Sequence, residues 1–238
     1  GFIRLRQIPP IVVPSPWSVV RAAAGQAESI QAAALRTAAA AGTGLCGAVV
    51  IGLLTACVFS QSRLARAALY PYAILLQTIP IIAVAPIVVV TCGRGFHSVA
   101  LIAMLISTFP VITSTTTGLL QVDAGLSELF ALYGATRLQR LWKLQLPGSL
   151  PYLISGIRIA GGAAIVGAIV GEFFVGSHQP GLGTLIQLKS AGTRTDQLYA
   201  VVIAATLLGV SVFSVVTLVG EFVLRRWLGM SLSGLVRV

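Results

Sequence analysis

The sequence predicts an all-α integral membrane protein of about five core spans, and three observations carry that prediction. Hydrophobic residues fill 56% of the 238 positions and charged residues only 9%, where an ordinary soluble domain is roughly a quarter charged. The mean hydropathy is +0.94. Apolar runs of about twenty residues, the length at which a helix crosses a bilayer core, alternate with short segments that hold most of the cations. We expect one transmembrane domain over 37–238, preceded by an arm over 1–36 that is external or interfacial.

The net charge of +10 would suggest nucleic acid in a soluble protein. Here the cations lie between apolar runs, where they set topology and meet lipid headgroups, so membrane lipid is an expected partner and nucleic acid is not. Cys46, Cys57 and Cys92 sit in or beside apolar stretches without a CxxC pair and read as packing residues. His97 and His178 each stand alone, and neither is assigned any chemistry. No metal site is expected.

Taken in order, the elements begin with Arg4, Arg6, Pro9-Pro10 and "PSPW" at 14–17, where closely spaced prolines favour extended structure. The first span is expected at 37–59, charge-free and rich in Gly and Ala. A second apolar stretch, 68–91, contains Pro80 and Pro86, which should kink it or split it into a helix and a re-entrant piece. A third covers 98–119, a fourth runs from Leu150 to about Glu172, and a fifth from Leu198 to Leu224. Five spans put the ends on opposite sides. Arg63, Arg66, Arg137, Arg140, Lys143, Arg225 and Arg226 then share one side, which the positive-inside rule makes cytoplasmic; Arg94, Lys189 and Arg194 fall opposite. An additional helix ahead of Gly1 would bring the chain to its external arm.

Between the third and fourth spans the chain turns polar: "ELFALYGATRLQRLWKLQLP" runs from Glu128 to Pro147. Leu126, Leu129, Phe130 and Tyr133 recur at helical spacing on one face, Gly134 permits a turn, and Leu138, Leu141 and Trp142 form a second apolar face. Leu146-Pro147 is expected to end that second helix. The reading is a helix-turn-helix bracket at the cytoplasmic surface, about 121–149. An interfacial amphipathic hairpin gripping anionic lipid would share its composition.

Spacing adds a resemblance. Glu128, Gly134, Leu144, Leu146 and Pro147 stand at the separations of the cytoplasmic "EAA loop" of ABC importer permeases: Glu-Ala-Ala, three residues, Gly, nine residues, an aliphatic, any residue, Leu-Pro. Leu129 and Phe130 replace the two alanines. "LLQTIPIIAVAPIVVVTCGRG" from Leu75, "STFPVI" from Ser107, "LPGSLPYLISGIRIAGGAAIVGAIVGEFFVG" from Leu146 and "PGLGTLI" from Pro180 are similar to the nitrate/sulfonate/taurine branch. So is "IVVPSPWSVV" in the arm, and the likeness spans about Val13 to Trp227.

The resemblance implies an importer permease in a bacterial plasma membrane, working with a second permease subunit (a homodimer being the expected arrangement), a cytoplasmic ABC ATPase dimer and an external solute-binding protein. It further implies a small solute, often anionic in that branch, with ATP and Mg on the ATPase and no cofactor on this chain. "GAAIVGAIVGEF" lacks the lysine of a phosphate loop and lies in a span. The ATPase-coupling residues would be Glu128, Tyr133, Gly134, Ala135, Thr136, Arg137, Leu146 and Pro147.

Gln77, Thr78, Pro80 and Ser107, polar groups and a proline at expected kinks, are candidates for the pathway or gate. Arg158 joins them, either lining the inner mouth or snorkelling to the surface. Glu172 and Asp196 are expected in outer loops, and Glu221 with Arg225 in an i,i+4 ion pair. Ala163, Gly167 and Gly171, spaced by fours, would admit a close helix. A secondary transporter or channel would instead need ionisable residues deep in the spans, and a membrane enzyme would need clustered His, Asp, Glu or Ser on one membrane face.

Overall fold

The computed structural model describes residues 14–175, 179–192 and 194–228. Arg4, Arg6, the Pro9-Pro10 pair and His178 lie outside them. The described residues form helices: α1 Pro16–Gly25, α2 Ala27–Gln61, α3 Arg63–Thr78, α4 Ile81–Cys92, α5 Phe96–Leu120, α6 Ala124–Leu132, α7 Arg137–Arg140, α8 Leu146–Val175, α9 Leu182–Ser190 and α10 Thr195–Leu228, with one π turn, Leu141–Gln145, joining α7 to α8.

Among the described residues, four helical stretches are long and apolar enough to cross a bilayer: Ala27–Gln61, Phe96–Leu120, Arg137–Val175 and Thr195–Arg226. A fifth crossing needs α3 and α4 together, which meet at 98°. At 16 and 12 residues they rise only about 24 and 18 Å, short of the roughly 30 Å hydrocarbon core. The expected split thus falls at Ile79-Pro80. Pro86 stays inside α4 without breaking it.

Two expected boundaries move. The helix that carries the first span starts at Ala27, ahead of the expected 37, and α1 precedes it from Pro16. Pro16 fits the first helical position, where no N–H is needed, and Ser15 accepts the Ser18 N–H at 3.1 Å. Nor does Leu146-Pro147 end a helix. Arg137 to Val175 is continuous, because the π turn before Leu146 widens the coil where the Pro147 ring would otherwise strike the carbonyl one turn back.

α2, α5 and α8 form the centre, with Ala40, Ala41, Val99, Ala103, Ala164, Ile165, Ala168 and Val175 packed among them. Apolar side chains gain little by leaving lipid for protein, so close van der Waals packing between small residues must hold these helices. A Cβ at Gly44 would lie 2.6 Å from the Ala100 carbonyl oxygen, and one at Gly167 would lie 2.8 Å from Ala103 Cα. The small-residue stripe on α8 therefore seats α5 of the same chain. α10 lies at the edge, with Leu218 and Phe222 exposed.

Candidate functional site

The interruption folds as a hairpin standing off one end of the spans. Asp123 caps α6 by accepting the Leu126 N–H at 3.0 Å. Glu128 therefore sits in the middle of α6 and is exposed, with Asp123 at the start. After Tyr133, Gly134 takes φ +67°. Its N–H reaches the Ala131 carbonyl and the Ala135 N–H the Phe130 carbonyl, each at 3.0 Å, the paired bonds of a Schellman stop that favours glycine at this position. Thr136 and Gln139 then form a capping box that opens α7: the Gln139 N–H donates to Thr136 Oγ1 at 3.2 Å and the Thr136 N–H to Gln139 Oε1 at 2.8 Å.

These local bonds leave the tip rigid and its apolar side chains bare. Leu132 and Tyr133 are 85% and 84% exposed. Leu126, Leu129, Leu138 and Trp142 are exposed as well, whereas Leu141 is buried against Ala56 and Leu119. The second apolar face is therefore divided, one residue gripping the spans and two facing outward. Ala135 is half-buried, and Arg137 is exposed on the first turn of α7. Leu146 and Pro147 are half-buried at the root, where Gln61 Nε2 donates to Gln145 Oε1 at 2.9 Å and ties α2 to the π turn.

A cavity of about 400 Å³ opens between the α3–α4 bend and helices α5 and α8, walled by Gln77, Ile79, Ile106, Phe109, Pro110 and Ala163 among others. Its wall includes one residue of the expected pathway set. Gln77 lines it and Pro80 shapes the bend. The Thr78 hydroxyl donates to its own helix at Leu75. Ser107 is fully buried and donates to the Ala103 carbonyl one turn back at 2.7 Å. Arg158 places its guanidinium 5.4 Å from the centre of the Phe213 ring on α10, a cation–π contact outside the cavity wall. Spacing gave no hint of Ile106 and Phe109 as lining residues, because helix phase against a neighbour is a tertiary property.

Glu172 departs furthest from expectation. Instead of standing in an outer loop it is 6% exposed on α8. Its carboxylate accepts the Thr37 hydroxyl at 2.8 Å and the Gly183 N–H at 2.6 Å, while Thr37 Oγ1 accepts the Leu182 N–H at 2.9 Å. Arg36 Nη1 adds a bond to the Pro180 carbonyl at 3.2 Å. One carboxylate thus joins α2, α8 and α9 at the end of the bundle remote from the hairpin. Among the described residues, no group of His, Cys, Asp and Glu could hold a metal ion.

Residues 48–229 match the family model described as "Binding-protein-dependent transport system inner membrane component". The formylaminopyrimidine transport permease protein ThiX of Halalkalibacterium halodurans is 32% identical over 219 residues, covering 92% of this chain and 86% of that protein. The putative aliphatic sulfonates transport permease protein SsuC of Bacillus subtilis is 33% identical, over 84% of this chain and 68% of its own. The taurine transport system permease protein TauC of Escherichia coli is 28% identical, over 76% and 62%. In fold, the chain is similar to an inward-facing structure of the MetNI methionine ABC transporter, with a TM-score of 0.68 at 21% identity, covering 90% of this chain and 98% of that one. With its several membrane-crossing helices and its match over most of its length, the chain belongs to the inner-membrane permease family of binding-protein-dependent ABC transport systems.

Proposed function

We propose that two copies of this chain form the membrane path of an ATP-driven importer, and that the hairpin over 121–149 docks each copy onto one subunit of a cytoplasmic ABC ATPase dimer. The observation that carries this reading is the hairpin itself. Rigid capping and a Schellman turn hold Leu132, Tyr133, Leu138 and Trp142 exposed together, the kind of apolar surface that marks an interaction site.

Glu128, Tyr133, Gly134, Ala135, Thr136 and Arg137 would meet the ATPase, and Leu146 and Pro147 would join the docked tip to the span. ATP and Mg would act on the ATPase. Closing that dimer would displace the two hairpins. Arg137–Val175 is one helix of 39 residues, so the displacement would be carried along α8 towards the outer end and across the cavity at the α3–α4 bend. ATP favours one arrangement only as far as the docked complex binds it more tightly there.

An external binding protein would deliver the solute to the end that holds Glu172, Arg36 and α9. The relatives' names cover a formylaminopyrimidine, sulfonates and taurine, and among the described residues no Lys or Arg stands in the wall of the 400 Å³ cavity. A small solute suits that volume. Its anionic character rests on resemblance to the sulfonate and taurine branch.

The test is co-purification of the ATPase with wild-type, Gly134→Asn and Gly134→Val chains from native membranes. A Cβ at Gly134 meets nothing within 4 Å, so a substitution there acts on the turn. Asparagine tolerates positive φ, and a β-branched residue does not. The ATPase should be recovered with wild type and Asn and be lost with Val. Undiminished recovery with Val would refute the docking role.

A further inference from the structure

On the membrane side of the hairpin lies a second, wholly different hollow of about 600 Å³. Arg63 and Arg66 enter it from the first turn of α3, and Arg137 and Arg140 from α7. Gln61 and Gln145, tied to one another, line it as well. No carboxylate lies in its wall. Among the described residues the one ion pair is Arg225 with Glu221, so none of these four guanidinium groups is paired with a carboxylate.

Four cations lining one hollow raise its positive potential and draw an anion to it. Each guanidinium presents a planar fork of N–H donors matched to phosphate oxygens, and an anion between them would remove their mutual repulsion. The surroundings fix the kind of anion. Leu64, adjacent to Arg63, is 81% exposed; Val58 on the last turn of α2 is 52% exposed; and Leu120, in the wall itself, is 46% exposed. Apolar side chains bare to the outside, one turn from clustered arginines, mark the level where acyl chains give way to headgroups. Of the docking residues proposed on the hairpin, Arg137 alone lines the hollow.

We propose that this hollow is a phosphate site occupied by the headgroup of an anionic phospholipid of the inner leaflet, wedged between the base of the hairpin and the start of α3. The lipid would brace the hairpin against α2 and α3, so that the docked tip and the spans move together. The inference relies on the hairpin facing the cytoplasm but not on ATPase docking. Lipid retention reads it directly, and a failed ATPase pull-down leaves that readout intact.

The experiment is native mass spectrometry of the permease-containing complex, delipidated in detergent and re-exposed to phosphatidylglycerol, phosphatidylcholine or inorganic phosphate. Wild type should retain phosphatidylglycerol in preference to phosphatidylcholine. Near a membrane surface each cation contributes about fivefold, so Arg63→Gln with Arg66→Gln should weaken phosphatidylglycerol retention about thirty-fold. Arg63→Lys with Arg66→Lys should retain most of it, and Arg94→Gln, at the opposite end, all of it.

Equal retention of the two lipids by wild type overturns the proposal even if the double glutamine variant does not fold. Unchanged retention in that variant overturns it too. Phosphate binding as tightly as phosphatidylglycerol would make the hollow a site for a soluble anion. Loss of the ATPase with lipid retained would make it a protein contact. Either result removes the lipid.

Discussion

Removing the Glu172 charge should loosen the outer end of the bundle, and the structure sets the size of the effect. In Glu172→Gln one oxygen remains to accept either the Thr37 hydroxyl or the Gly183 N–H, while the new amide nitrogen is turned on the other donor. With its oxygen on the Gly183 N–H, the glutamine turns its amide on Thr37, whose hydroxyl keeps the Ala33 carbonyl at 3.1 Å as acceptor; no donor is orphaned, and trading two charge-assisted bonds for neutral ones costs about 3 kcal/mol. At roughly 2–4 °C per kcal/mol for a chain of this size, the melting temperature in detergent should fall by about 6–12 °C. Thr37→Val should cost about 2–3 kcal/mol, because it strips the carboxylate of one donor and the Leu182 N–H of its acceptor. Thr37→Ser, which keeps the hydroxyl, should stay close to wild type.

Since both changes break the same Thr37–Glu172 bond, the double variant should lose less than the sum, with a coupling of about 1 kcal/mol or more. The assay is thermal unfolding of the four proteins in one detergent, followed by tryptophan fluorescence. Shifts of less than about 2 °C in both single variants, or strict additivity in the double, would show that the node does not hold the outer end together.

Other substitutions test neighbouring features. Gly181→Ala places a Cβ against the Glu172 carboxylate and should lower the melting temperature much as Glu172→Gln does; Gly25→Ala, with open space around it, should not. Gly167→Ala drives a methyl towards the backbone of α5, 2.8 Å from Ala103 Cα, an overpacking that costs about 1–3 kcal/mol and is read by the same melt. Glu221→Gln breaks an ion pair whose arginine is 67% exposed; such pairs contribute only about 0.3–0.5 kcal/mol, so its melt should shift by less than 2 °C. A cysteine at Thr136, on the exposed hairpin, should react with an impermeant maleimide in inside-out vesicles and stay unlabelled in intact cells. Labelling from outside would invert the topology.

The sequence by itself determined that the chain crosses a membrane, about how often, and where its polar bracket stands. Those properties are local: run length, charge placement and turn chemistry each act within a few residues. Pro80 broke a span where its ring forbids the helix, and Gly134 took the left-handed turn. The Thr136–Gln139 capping box went unread, although its three-residue spacing is a local signal.

What only the tertiary structure decided are relations between distant segments. Glu172 reads in sequence as a carboxylate at the end of an apolar run, facing water. It is buried because Thr37, 135 residues earlier, and Gly183, 11 residues later, bring donors to it. Ser107 and Arg158 read in sequence as polar groups of the spans, and only helix phase sets their neighbours, the Ala103 carbonyl for one and Phe213 for the other. Arg63 and Arg66 were separated in sequence from Arg137 and Arg140 by two spans, and only helix packing gathers them at one hollow. Burial and convergence depend on which faces meet, and in a bilayer, where nearly every face of a span is apolar, hydrophobic pattern does not mark the face that packs.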